Sequence, residues 1–238
     1  MSNVFESQSL NNDFVEFSKE LFKTNSFKYS ADGPVGPVLK SYHRLVYVLA
    51  LIELKLELTW TEDHQFIFAN EILSDLLSNS VQIFQGFQNV SQILLRRIIE
   101  NFYHHIFFFE HPVEYELLNL GNDYIPVADL RDYYNSHPVI RALKDPKTFE
   151  FNAAIYSHYQ ELCRVVHSKG ETFMGLARTL DQIKQDFDVS QYLAQSNQSL
   201  RSVIYLLVRF HRELTFTAVE KNLISLSFPK PLRATLMA

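Results

Sequence analysis

Two long stretches of this sequence contain no proline, and this feature constrains the fold most. From Val38 to His111 there is no proline and only one glycine, Gly86, and from Lys147 to Phe228 there is again no proline. Helices tolerate such stretches, whereas turn-rich sheets and barrels need glycine and proline for their tight turns. The chain is also rich in core material, with 20 Phe and 12 Tyr beside 6 Gly and 8 Pro. We therefore predict an all-α fold, a single-domain antiparallel helical bundle with an N-terminal helical extension.

The first part of the chain divides at a loop of glycine and proline over residues 31–37. We expect residues 1–37 to form a short amphipathic helix at 10–23 followed by this loop. The next segment repeats apolar residues at the spacing of a core-facing helix, which predicts a helix over 38–59. Its apolar stripe consists of Leu45, Val48, Leu49, Ile52 and Leu56.

The stretch 67–110 has helical character throughout, but one helix of this length would span about 66 Å, too long for a compact domain of this size. Gly86 is the residue in it that suits the left-handed position after a helix end. We therefore predict two antiparallel helices, Ile67–Gln85 and Asn89–Phe109, joined at Gly86.

Prolines and one glycine punctuate residues 120–147, after a short helix that should begin at Pro112. We expect 120–147 to be an irregular insertion within a bundle domain of residues 38–228, with 229–238 as a tail. Apolar spacing predicts further helices at 149–168, 171–187 and 191–224, with Ser190 as the N-cap of the last.

Composition argues against several classes of protein. A net charge of −5 disfavours a broad nucleic-acid platform of clustered Lys and Arg, although a small RNA site is compatible with it. The only cysteine, Cys163, cannot form an intrachain disulfide or a cysteine-cluster metal site. The longest apolar run, Leu45–Ile52, is far shorter than the roughly 20 residues that span a bilayer. Since residues 1–10 also lack the features of a signal peptide, we expect a cytoplasmic protein without membrane contact, and the sequence suggests no cofactor.

The segment Leu94–His104 places charged residues on one face of a predicted helix. Arg96, Glu100 and His104 follow one another at i+4 spacing, and Arg97, Glu100 and His104 form an equally good i, i+3, i+7 set. The same helix is apolar almost all round, so a charge on it needs a partner. A structural ion pair and a functional cluster both remain open.

The histidines offer two further candidates. His167 ends the apolar stripe of the predicted helix 149–168, where a buried face meets solvent, so it is either a helix-end residue or a proton-exchanging ring. His104, His105 and His111 cluster in sequence, but adjacent helical residues point about 100° apart. We therefore interpret these three as ordinary core or surface side chains and predict no metal site.

At these segments the sequence resembles bacterial all-helical proteins of the HEPN superfamily, over about residues 67–215. The matching residues are Gly86, then Leu95-Arg96-Arg97-Ile98-Ile99-Glu100, then Tyr159, Leu162, Cys163 and His167, with Cys163 at a position that is usually serine. The resemblance implies a helical bundle in which Arg96, Glu100 and His167 approach one another.

Ribonucleases of this superfamily carry an arginine and a histidine separated by four to six residues, a spacing that Arg97 and His104 share. They cleave RNA without metal, at sites formed across dimers. The resemblance thus implies a metal-independent RNase, acting as the toxin of a toxin–antitoxin pair or as an anti-phage defence effector. In it Arg96 and Arg97 would hold phosphate beside Glu100, and His167 or His104 would be the acid and base.

Other functions fit the same residues. The main alternative is a non-catalytic helical module that binds and regulates a partner protein or a nucleotide; a third is a ligand sensor with a pocket lined by Phe102 or Phe107. We also expect a homodimer or a complex with a partner protein, because the last long helix carries more apolar surface than one bundle would use. That stripe comprises Leu200, Val203, Ile204, Leu207, Phe210 and Leu214.

Overall fold

A computed structural model describes residues 11–16, 33–121, 125–166 and 188–236, and every regular element in these residues is helical. The predicted all-α class is confirmed. A helical segment at 11–16 comes first, and a short 3-10 helix covers Asp63–Gln65. The α-helices run in the order α1 Gly36–Thr59, α2 Ile67–Gln85, α3 Gln88–Phe108, α4 Pro112–Asn119, α5 Val127–Ser136, α6 Pro138–Leu143, α7 Pro146–Val166, α8 Val189–Phe210, α9 Ala218–Leu226 and α10 Lys230–Leu236.

Helices α3 and α8 supply much of the apolar core. α3 packs against α2, α5 and α7, and α8 packs against α1 and α7. The buried apolar side chains form one continuous cluster. Since α3 lies among three other helices, its polar residues must find partners on its neighbours, and this requirement shapes the candidate site.

The turn between α2 and α3 forms at Gly86 as predicted. Gly86 has φ 82° and lies in the left-handed region. Its N–H donates to the carbonyl of Ile83, and the N–H of Phe87 donates to the carbonyl of Gln82, which together form a Schellman motif. The predicted end of α2 at Gln85 is confirmed, and α3 begins one residue before its predicted start.

Residues 120–147 differ from the expected irregular insertion, because they contain α5 and α6. Pro126 is the N-cap of α5, and Pro138 is the first residue of α6. Proline is compatible with both places because the first backbone N–H groups of a helix have no partner within it. Leu130 and Tyr134 of α5 are buried and join the helix to the core.

The prediction of one helix over 191–224 is wrong, and so is Ser190 as its N-cap. The side chain of Asp188 caps α8 by accepting the N–H of Gln191 over 3.0 Å. The chain leaves the helix after Phe210, and α9 starts from a capping box formed by Thr217 and Glu220. The expected tail carries α10, Lys230–Leu236.

Several predicted features fall beyond the described residues. α7 confirms most of the helix expected at 149–168, but residues 167–187 lie outside the description, and the expected helix 171–187 lies among them. Of the helix expected at 10–23, only 11–16 is described.

The apolar stripe expected on the last long helix does not form a free face. Five of its residues lie on α8, Leu214 lies beyond the end of α8, and all six are buried in the chain's own core. The argument for a dimer through this stripe therefore fails. In the described part of the chain, no helix combines the length and the apolarity that crossing a membrane requires.

Candidate functional site

An ion pair on α3 meets a tyrosine of α7. Nη2 of Arg96 donates to Oε1 of Glu100 over 2.6 Å, and the hydroxyl of Tyr159 donates to the same oxygen over 3.0 Å. The guanidinium carbon of Arg96 lies 5.8 Å from the centre of the Tyr159 ring. The contact between Arg96 and Glu100 that helix spacing predicted is confirmed. The two sequence segments that carry the resemblance therefore lie side by side.

The cluster of Arg96, Glu100 and Tyr159 is partly buried, and the pKa values of Arg96 and Tyr159 are shifted. The side chains of Arg96 and Glu100 are 22% and 19% exposed. Burial by itself lowers the pKa of Arg96, but Glu100, Tyr159 and Cys163 outweigh it, and the pKa is raised. Burial, Cys163 and Glu100 raise the pKa of the Tyr159 hydroxyl. At neutral pH the arginine is thus held as a cation and the tyrosine as a neutral donor.

Arg97 points to another side of α3 and connects it to α2. Its Nη2 lies 3.2 Å from Oε2 of Glu71, and its Nε lies 3.3 Å from Oδ2 of Asp75. Asn101 also donates to Oδ2 of Asp75, over 3.3 Å. Burial raises the pKa of Asp75, and the charge of Arg97 works against this rise. The contacts of Arg97 therefore join α3 to α2. They are separate from the ion pair of Arg96 and Glu100, which lies within α3.

His104 lies among aromatic rings. Its ring centre is 5.3 Å from that of Phe68 and 5.8 Å from that of Phe108. Burial lowers the pKa of His104 to about 4. A general base works best when its pKa is near the working pH, so His104 is a weak base for chemistry at neutral pH.

The neighbouring histidines point elsewhere, as helix geometry predicts. Nε2 of His105 lies 2.7 Å from Nε2 of His211, while His111 stacks on Phe107 with ring centres 4.1 Å apart. No group of three or more His, Cys, Asp or Glu side chains is placed to hold a metal ion within the described ranges.

His167 directly follows Val166, the end of α7, and lies outside the described residues. Its expected approach to Arg96 and Glu100 therefore stays a prediction. Cys163 is described, is half-buried, and influences the pKa of both Arg96 and Tyr159.

A row of two tyrosine rings between two arginines, which the sequence did not predict, continues from this cluster. The guanidinium carbon of Arg131, on α5, lies 4.6 Å from the centre of the Tyr156 ring. The rings of Tyr156 and Tyr159 are 6.1 Å apart and only 26° from parallel. Together with the contact between Arg96 and Tyr159, this produces an ordered series that we call the Arg–Tyr row: Arg131, Tyr156, Tyr159 and Arg96.

An open groove of about 360 Å³ lies beside one end of the row. Phe149, 39% exposed, contributes an apolar wall. Asn152 donates to Oδ1 of Asn135 over 2.8 Å, which fixes the amide of Asn135 and leaves its NH2 group for the groove. The groove is lined by Arg131, Asn135, Phe149, Tyr156, Ser157 and Gln160, together with Ala153.

Comparison of the chain with protein-family models, curated proteins and solved structures finds no match. Support for a function consequently comes from the geometry above and from the resemblance of the two sequence segments.

Proposed function

We propose that this protein is an HEPN-like helical module that binds single-stranded RNA on the Arg–Tyr row. The observation that carries the proposal is the stacking of Arg131 on Tyr156 beside the nearly parallel ring of Tyr159. Unpaired bases stack on tyrosine rings and on guanidinium planes, and guanidinium groups also contact phosphates. The amides of Asn135 and Gln160 in the adjoining groove supply donors and acceptors for a base edge.

The charges of the row are compatible with weak, local RNA binding. Arg131 pairs with Oδ1 of Asp132 at 3.0 Å, but the side chain of Asp132 is 68% exposed. Exposed ion pairs contribute little, so Arg131 can exchange this carboxylate for a phosphate. Arg96 remains paired with Glu100. With about one or two phosphates engaged, the logarithm of the binding constant should fall with the logarithm of salt concentration with a slope of about −1.

Cleavage of the bound RNA is a second candidate. It is favoured by the meeting of Glu100 and Tyr159, which joins the two segments that resemble the HEPN pattern. His104 is too weak a base at neutral pH, so cleavage would depend on His167. Under this candidate the protein is a metal-independent RNase of the cytoplasm, either a toxin or an anti-phage effector.

Fluorescence anisotropy with a labelled single-stranded RNA tests binding. Tyr156→Ala removes the ring that stacks on Arg131 and should weaken binding about fivefold or more, because one stacked base contributes about 1–3 kcal/mol. Tyr156→Phe keeps the ring and should bind nearly as the wild type does. Arg131→Gln should weaken binding and flatten the salt dependence, whereas Arg141→Gln, at an exposed arginine of α6, should change neither. Equal affinity of the wild type and Tyr156→Ala would contradict the proposal.

A separate assay decides between binding and cleavage. The same RNA is incubated with the purified protein in the presence of a chelator. Degradation that disappears in His167→Ala, with the melting temperature retained, would establish cleavage. RNA that is bound but stays intact would leave binding as the function.

The expected homodimer or protein complex also stays a proposal, and it needs a surface other than the α8 stripe. Helix α4 and the residue that follows it offer one candidate, because Val113, Leu117 and Leu120 at i, i+4 and i+7 spacing are 68%, 39% and 71% exposed. Light scattering of the purified chain measures its mass directly. A dimer that Leu117→Asp converts to a monomer would place self-association on α4. A monomeric wild type would contradict the expected homodimer.

A further inference from the structure

A second groove, of about 290 Å³, lies where α1 and α8 meet the end of α9. Arg44 of α1 and Arg201 of α8 both line it, and both are half-buried. Ser41 and Ser227 contribute polar groups, and Pro229 closes the groove beyond the end of α9. None of these residues belongs to the Arg–Tyr row, so this groove is independent of the RNA-binding proposal.

The arginines at this end of α9 contact neutral oxygens. Arg44 donates to the carbonyl of Leu226 over 3.5 Å, and Nε of Arg201 donates to the carbonyl of Ser227 over 3.0 Å. Nε of Arg233, on α10, donates to the carbonyl of Phe228 over 2.9 Å. Cations at the C-terminal end of a helix satisfy its free carbonyls and its dipole. These contacts therefore have a structural role of their own.

Within the described part of the chain, the positive charge of Arg44, Arg201 and Arg233 is not compensated by a carboxylate. Among the described residues, no carboxylate pairs with Arg44, Arg201 or Arg233, whereas Arg96, Arg97 and Arg131 each pair with at least one. Carbonyl oxygens carry no net charge, and half-buried like charges repel one another. Burial and the charge of Arg44 lower the pKa of Arg201, as expected for a half-buried cation beside another cation.

We propose that this groove binds a phosphoryl group of a small soluble molecule, held between Arg44 and Arg201. A guanidinium carries five N–H donors, and the contacts of each arginine with the protein use only one or two of them. Arginine pairs with phosphate through two parallel hydrogen bonds, which makes it the side chain best suited to such a group. Ser41, which accepts Nη2 of Arg201 over 3.2 Å, places a hydroxyl at the same site.

Thermal unfolding of the full chain with pyrophosphate, against potassium chloride of equal ionic strength, tests the proposal. At a concentration ten times the dissociation constant, the wild-type melting temperature should rise by about 3 °C. The rise should disappear in the double variant Arg44→Gln, Arg201→Gln and persist in Arg212→Gln, a control at an exposed arginine. An equal rise in the double variant would overturn the proposal, because it would show only the general exclusion of phosphate from protein surfaces.

A second variant and a direct readout separate binding from folding. Arg201→Lys keeps the positive charge at the end of α9 but loses the planar fork, so the protein should stay folded and bind phosphate several-fold more weakly. Broadening of the ³¹P resonance of pyrophosphate by the wild type, reduced by Arg201→Lys, reports the contact itself. Equal broadening by both proteins would contradict a site at Arg201.

Lipid headgroups also carry phosphoryl groups, and a vesicle experiment distinguishes them from a soluble ligand. The protein is sedimented with phosphatidylcholine vesicles that contain phosphatidate. Free protein in the supernatant, together with pyrophosphate binding, supports a soluble ligand. Sedimentation of the protein with these vesicles, together with no change in melting temperature or ³¹P line width on adding pyrophosphate, would overturn the proposal of a soluble ligand. RNA binding should be unchanged in Arg44→Gln, Arg201→Gln, so the two proposals can fail separately.

Discussion

His105 and His211 place their Nε2 atoms 2.7 Å apart between α3 and the end of α8. The residues are 0% and 1% exposed, and the ring of Phe109 lies 4.7 Å from that of His211. A contact of this length requires one Nε2 to donate and the other to accept, so at least one ring is neutral. Nδ1 of His211 lies 3.5 Å from Oε1 of Glu213.

The histidine pair predicts that stability falls in mild acid. Burial lowers the pKa of both histidines; His211 lowers that of His105 further, while Glu213 and Glu110 partly oppose the effect on His211. In the unfolded chain a histidine titrates near 6.5. Below about pH 6.5 the unfolded chain therefore binds protons that the folded pair does not. Stability is complete above this pH and declines below it, by at most about 1.4 kcal/mol per pH unit for each proton.

Urea unfolding at a series of pH values between 5 and 8 checks this prediction. His211→Gln should be less stable than the wild type at pH 7.5 but should show a shallower loss toward pH 5, by about one proton. His64→Gln, at a half-exposed histidine, should keep the wild-type slope. A slope in His211→Gln as steep as in the wild type would contradict the proposed role of the pair.

The ion pair of Arg96 and Glu100 should couple energetically. Because both side chains are about one-fifth exposed, the coupling should lie between those of exposed and buried pairs, at about 1–2 kcal/mol. A double-mutant cycle with Arg96→Ala and Glu100→Gln measures it by urea unfolding. Arg164→Ala, at an exposed arginine of α7, is the control and should cost little. A coupling near zero would show that the pair is an incidental contact.

Two substitutions distinguish the N-caps of α8. Asp188→Ala should lower the free energy of unfolding by about 1 kcal/mol, because it removes the acceptor for the N–H of Gln191. Ser190→Ala, two residues later and exposed, should have almost no effect. The opposite order of the two effects in urea unfolding would restore Ser190 as the cap.

Gly86 should be sensitive to any side chain. Its φ of 82° costs other L-residues about 1–2 kcal/mol. Gly86→Ala should therefore lower the melting temperature by about 3 °C or more. Gly86→Asn should lose less, since asparagine adopts the left-handed conformation more readily. A harmless Gly86→Ala would mean that the turn between α2 and α3 can adopt another geometry.

Local signals explain which parts of the fold could be predicted. Gly86 ends α2 because glycine alone in that stretch adopts a left-handed turn freely, and Arg96 reaches Glu100 because the pair is local to one helix. The break between α8 and α9 contains no glycine or proline, so no helix-breaking residue marks it in the sequence. Thr217 and Glu220, at the spacing of a capping box, are the signal that could have placed it.

Tertiary packing explains most of what the sequence did not predict. Tyr156 and Tyr159 are three residues apart, so a shared face was predictable, but the position of Arg131 over Tyr156 depends on how α5 packs beside α7. Arg44 and Arg201 are far apart in the chain, and only the meeting of α1 with α8 makes them neighbours. The pairing of Arg97 with Glu71 and Asp75 likewise depends on how α2 packs beside α3.

Photo-crosslinking of a single-stranded RNA that contains 4-thiouridine tests the RNA-binding proposal most directly. Mass spectrometry of the digested adduct identifies the contacted residues. We predict adducts at Tyr156 or Tyr159, with a strongly reduced yield in Tyr156→Ala and an unchanged yield in Arg141→Gln. No adduct at the Arg–Tyr row, or adducts elsewhere that Tyr156→Ala leaves unchanged, would contradict the proposal.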